Sequence, residues 1–178
     1  MLGVGGVGVR VCKMRIVSWN VHGLGGLEKR KEVKELVKDK VPLELCIQET
    51  KLQVIDGFLC TSLWGPSNHD FSYSPSVGAS GGLVAIWDTS EVEVWLTARG
   101  EHFLMIHGRF IKSNEEFYIF NVYAPCDRSA NPKSYASLFC DVLCSSSLLM
   151  TIHFPFSHKN YHLFPSPNEK AQTLFRVS

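Results

Sequence analysis

The stretch from Met14 to Lys51, "MRIVSWNVHGLGGLEKRKEVKELVKDKVPLELCIQETK", constrains the fold more than any other part of the chain. It opens with "MRIVSWN", a β-branched and aromatic run with the composition of a strand. Gly23, Gly25 and Gly26 follow as a flexible loop. "LEKRKEVKELVKDKV" then sets Leu27, Val33, Leu36, Val37 and Val41 on roughly one helical face. Glu28 with Lys31, and Glu35 with Lys38, have the spacing to pair on the wet side, so the charge run reads as a solvated helix face rather than a DNA-binding arm. Pro42 ends the helix. "LELCIQE" is apolar at its centre, as expected of a strand covered on both faces. Strand, helix and strand form a right-handed crossover if the two strands are parallel. Asn20 and Glu49 then stand at the carboxyl ends of neighbouring strands, where open α/β sheets place their sites.

Beyond this unit the chain is rich in strand signals. "FSYS" (71–74) precedes the loop "PSVGASGG". It is followed by "LVAIWD" (83–88), "VEVWLTA" (92–98), "HFLMIHGRFI" (102–111) and "FYIFNVYAP" (117–125). Short polar connections such as "DTSE" and "KSNEE" make these an antiparallel meander. A second helix is expected from Pro132 to about Leu143, with Tyr135, Leu138, Phe139 and Val142 as its apolar face. The prediction is one layered α/β domain with a mixed sheet.

Composition excludes several classes. A 178-residue chain with 45% hydrophobic and 20% charged residues is an ordinary globular domain. A net charge of +1 gives no basic field, so nucleic-acid binding must come from a local patch. The six cysteines show no C-x-x-C pair; Cys46 lies in an apolar run, and buried free thiols in a reducing compartment, nuclear or cytoplasmic, are expected. No segment has the length of a membrane-spanning helix. Gly3, Gly5 and Gly8 satisfy G-x-G-x-x-G on paper, but a dinucleotide fingerprint needs a preceding strand and a following helix. Residues 1–13 are read as a disordered leader.

Four segments, "SWNVHGLGGLEKRKEV", "LCIQETKL", "GASGGLVAIWD" and "NVYAP", occur in the order and at the intervals of the endonuclease/exonuclease/phosphatase superfamily. The chain resembles most the endonuclease domain of plant LINE-type (non-LTR) retrotransposons, over residues 14–144. The resemblance implies an α/β fold, a partial four-layered DNase I-like sandwich with mixed, largely antiparallel sheets. It also implies Mg²⁺-dependent phosphodiester hydrolysis on DNA. By the same resemblance, Glu49 is the principal metal ligand, Asn20 bridges a phosphate oxygen or orients a metal-bound water, and Tyr123 meets the scissile phosphate. Asn20, Glu49 and Tyr123 are the catalytic candidates, with Glu49 and Asn20 at the metal and Tyr123 at the substrate. From the residues alone, Asn20 reads equally as a turn Asn before Gly23. The Ser80–Gly81–Gly82 turn reads mainly as structural.

Two departures matter. Repair-type abasic-site nucleases of the superfamily carry an acidic residue where this chain has His22, a change that favours the retrotransposon branch; the histidine itself reads as structural. The family's later G-D-x-N and S-D-H motifs, which supply a base and leaving-group stabilisation, do not occur in the sequence. Residues 145–178 resemble nothing in the family, and hold Glu169 as their single acidic residue. His153, His158 and His162 are the candidates there for a replacement base. "LLMTIHFPF" is limited by Pro155 to an edge or a loop. The expectation is a C-terminally truncated, inactive endonuclease copy. Alternatives are a non-catalytic remnant with weak nucleic-acid or partner binding, an abasic-site endonuclease, or a phosphatase.

Overall fold

A computed structural model of the chain describes residues 15–100, 102–123 and 148–153. The expected leader, the helix over 132–143 and most of the tail lie outside the described residues. The order of elements is β1 (Ile16–Asn20), α1 (Leu27–Lys40), β2 (Glu44–Gln48), α2 (Gly57–Trp64), β3 (His69–Val77), β4 (Ser80–Asp88), β5 (Val92–Arg99), β6 (Phe103–Phe110), β7 (Glu116–Tyr123) and β8 (Leu148–His153). The strands form two four-stranded sheets, ordered β1-β2-β4-β3 and β5-β6-β7-β8.

The crossover unit has the predicted form. β1 and β2 pair in parallel, with Asn20 opposite Gln48. Alternation then divides the strand residues between two cores. Val17, Trp19, Leu45 and Ile47 face the helices, where Val33 and Val37 of α1 meet Leu59, Cys60 and Leu63 of α2. Ile16 and Cys46 face the other way, and pack with Leu83, Ala85 and Trp87 of β4 against Leu104, Ile106, Phe117 and Ile119 of the second sheet. Each fully buried aliphatic side chain contributes about 1.5–3 kcal/mol. The described layers are therefore helices, sheet and sheet, with mixed pairing in both sheets: β7 pairs antiparallel with β6 and parallel with β8.

Several expectations are corrected. Leu27 and Val41 do not join the buried face of α1; both are exposed. Val41 instead caps the helix in the left-handed region (φ 46°), its N–H donating to Val37 O. On the wet face, Lys29 pairs with Glu32 at 2.9 Å and Lys40 with Asp39 at 2.6 Å. "PSVGASGG" is mostly strand: β3 runs to Val77 and β4 starts at Ser80, leaving Gly78 and Ala79 as the turn. Its proline fits because β3 is an edge strand, and Pro75 falls between the paired Ser74 and Ser76. Helix α2 was not anticipated. Its signal is Asp56, whose carboxylate accepts from Leu59 N at 2.8 Å. In β5, a bulge between Val94 and Leu96 turns Trp95 outward. Gly108 opposite makes this possible, since a Cβ there would lie 2.2 Å from Glu93 O. Cys46 and Cys60 are buried free thiols.

Two consequences for stability follow. A β-branched residue in the left-handed region costs about 1–2 kcal/mol. Val41→Gly is expected to raise unfolding free energy by about 1 kcal/mol, read from urea midpoints. The second concerns Glu44, which is buried in the apolar layer; burial drives its carboxyl from 4.5 up to about 8, only partly opposed by the Cys46 thiol hydrogen bond. The folded chain keeps this proton where the unfolded chain has lost it. The resulting stabilisation is full below about pH 4.5 and is lost as pH rises through 8, by up to about 1.4 kcal/mol per unit. Glu44→Gln, which cannot ionise, should flatten stability between pH 5 and 8; an unchanged slope would contradict the assignment.

Candidate active site

The parallel pairing of β1 and β2 brings their carboxyl ends side by side, and the backbone bond from Val21 N to Gln48 O (3.1 Å) carries the pairing one step past the strands. Asn20 Nδ2 donates to Glu49 Oε1 at 3.1 Å. Asn20 Oδ1 in turn accepts from the His22 backbone N–H at 3.0 Å. His22 Nδ1 lies 2.9 Å from Glu49 Oε2. From the second sheet, Tyr123 at the end of β7 lies close enough to the Glu49 carboxylate to help lower its pKa. One carboxylate thus gathers side chains from β1, the loop after it and β7. Asn20, Glu49 and Tyr123 are brought together; His22, read from sequence as structural, joins them as a direct partner of Glu49.

Charge at this point is set by competition. Burial pushes the Glu49 carboxyl up, but hydrogen bonds from Asn20 and His22, the His22 charge and Tyr123 outweigh it and hold the group below its ordinary value. Glu49 is 7% exposed, and Asn20 is 4% exposed. The His22 side chain, by contrast, is half exposed. The result is a recessed, ionised carboxylate with one half-exposed partner, His22.

Backbone geometry at the site is unusual. His22 (φ 52°), Glu49 (φ 54°) and Lys51 (φ 56°) all occupy the left-handed region. Such residues persist only where their surroundings fix them. Here Leu24 N bonds Thr50 O at 2.8 Å, while Thr50 N and Lys51 N bond Gly82 O and Gly81 O, each at 3.0 Å. A Cβ on Gly82 would lie 2.3 Å from Thr50 Oγ1 and 3.3 Å from Lys51 N. The glycines read from sequence as a structural turn are therefore strand residues that brace the Glu49 loop by close backbone approach.

Sequence reasoning missed a second group. Gln48 Nε2 donates to Asn121 Oδ1 at 2.5 Å and to Ser18 Oγ at 3.0 Å. Asn121 Nδ2 donates to Ile47 O and Val84 O at 3.2 and 3.1 Å. Nothing local announces this pairing, because the two amides lie 73 residues apart. Among the tail histidines, His153 is in backbone register with Tyr123, whereas His158 and His162 lie outside the described residues.

The donor set can be weighed for a metal. Among the described residues there is no cluster of three or more His, Cys, Asp or Glu. A hard cation that keeps several waters needs only one or two carboxylates. Glu49 fits as a single-carboxylate oxygen ligand, with Asn20 holding its orientation. A cleft of about 620 Å³ lined by Trp87, Trp95 and Arg109 lies towards the opposite end of β4 and takes no part in this site.

No family model matches the chain, and no curated protein matches it. Solved structures do. The AP endonuclease LMAP from Leishmania major is 19% identical over 70% of this chain and 44% of its own, with a TM-score of 0.50. D. rerio TDP2, complexed with single-strand DNA product, is 15% identical over 79% and 59%, with a TM-score of 0.55. An endonuclease/exonuclease/phosphatase family protein from Leptotrichia buccalis is 12% identical over 77% and 66%, with a TM-score of 0.56. The chain spans between 44% and 66% of the length of these three structures. At such identities the likeness is one of fold: the chain has the two-sheet DNase I-like α/β architecture found in endonuclease/exonuclease/phosphatase structures.

Proposed function

We propose that the chain is the Mg²⁺-binding, DNA-contacting part of a LINE-type retrotransposon endonuclease domain, and that these 178 residues alone turn over little or no DNA. The observation that carries this reading is the recessed Glu49 carboxylate, kept ionised by Asn20, His22 and Tyr123 where the ends of both sheets meet. Glu49 would hold the ion and Asn20 would fix the carboxylate that holds it. Tyr123, near enough to that carboxylate to lower its pKa, would place a donor beside the phosphodiester. A bound Mg²⁺ supplies charge neutralisation and polarisation at the phosphoryl oxygen. His22 in the acidic position of abasic-site nucleases supports the retrotransposon lineage over a repair role, as does the "GLGGLEKRKEV" segment. The absence of G-D-x-N and S-D-H from the sequence supports low turnover, since in-line attack also needs a base and stabilisation of the leaving oxygen. A nuclear or cytoplasmic setting suits this reading.

The test compares the chain with Glu49→Gln in two assays. Mn²⁺ binding, followed by electron paramagnetic resonance, should weaken at least about tenfold in the variant, or about 1.4 kcal/mol. Plasmid nicking in Mg²⁺ should be equally slight for both proteins. Equal Mn²⁺ affinities would remove the metal site. Robust nicking abolished by Glu49→Gln would keep the site and overturn the proposed inactivity, and faster cutting of abasic-site DNA than of plain duplex would favour a repair enzyme.

A further inference from the structure

Two fully buried amides join the sheets directly behind the site. Gln48 and Asn121 are each 0% exposed. Gln48 immediately precedes Glu49, and Asn121 stands two residues before Tyr123 on the same face of β7. The Gln48 amide reaches across the apolar layer to Asn121 Oδ1, while the Asn121 amide reaches back to the carbonyls of Ile47 on β2 and Val84 on β4. Ser18 of β1 receives the second Gln48 N–H. Three strands of the first sheet are thereby pinned to one residue of the second. The surrounding contacts between the sheets are apolar, and apolar packing is non-directional, so it tolerates a slide of one sheet over the other. Hydrogen bonds from two planar amides do not tolerate it.

We propose that Gln48 and Asn121 form a positioning clamp that sets the register of β7 against β2, and so holds Tyr123 beside Glu49 and its loop, where the ring lies against Gly81. The inference rests on Glu49 and Tyr123 forming the site. It assigns to the amides an action through those residues, with no contact to substrate. The clamp is coupled by design: shortening one side chain breaks it, and lengthening the other by the same methylene restores its span.

The experiment uses the full chain labelled with 3-fluorotyrosine, the Tyr123 resonance being identified by its loss in Tyr123→Phe. Its response to Glu49→Gln marks a broken contact. Gln48→Asn and Asn121→Gln should each move the Tyr123 signal towards that marker and lower Mn²⁺ affinity about tenfold or more. The double variant carrying both changes should return signal and affinity towards wild type. Phe117→Leu, a change in the same apolar layer remote from the amides, should lower stability while leaving both readouts in place. The proposal is overturned if the single variants leave the Tyr123 signal unmoved, if the double variant fails to restore it, or if Phe117→Leu shifts it equally. If the wild-type chain binds no Mn²⁺, the metal reading fails while the fluorine signal still decides the clamp.

Discussion

The separation and register of two packed sheets govern everything at the Glu49 site. Asn20 and Glu49 belong to one sheet and its loops, while Tyr123 belongs to the other. A phenol and a carboxylate on different sheets meet only when the layer between them has one thickness and one alignment. The thickness comes from interlocking side chains such as Leu83, Leu104, Ile106 and Phe117. The alignment comes from directional bonds, and the described residues supply few of these across the layer besides the amides of Gln48 and Asn121.

β2 carries two carboxylates at opposite ends of this layer, and the chain treats them differently. Glu44, at the start of the strand, has a thiol as its partner and one oxygen without a hydrogen bond, so burial wins and the group stays neutral. Glu49, just past the end, is less deeply buried and meets donors on both oxygens, so its charge survives. Environment alone separates them, a pattern that in active sites divides acid from base. Of the two, only Glu49 has a half-exposed partner, His22.

Much of this was legible in the sequence. The 3.6-residue spacing in α1 and the apolar centre of β2 gave the crossover unit, and the strand ends gave Asn20 and Glu49 as neighbours. Where the reading failed, it failed for identifiable reasons. "GFLCTSLW" is short and apolar on most sides, so periodicity is mute there, and only the Asp56 cap marks a helix. "PSVGASGG" has the composition of a loop, but β4 offers β3 a partner whose hydrogen bonds outweigh local preference. Val41 fits the helical stripe, yet Pro42 forces the chain out of the helix at that point. The Gln48–Asn121 bond joins segments that only the folded chain brings together. The role of His22 is not legible locally, because it depends on a carboxylate 27 residues away.

The flank formed by β3 and β5, the outer strands of the two sheets there, has one further consequence. Unpaired strand borders invite recruitment by other chains, which is how regular edges seed fibrils. Pro75 removes a donor from one border, and the bulge at Trp95 throws the other out of step. A neighbouring molecule seeking to extend either sheet would find no uninterrupted ladder to copy, so backbone geometry discourages self-assembly through this side.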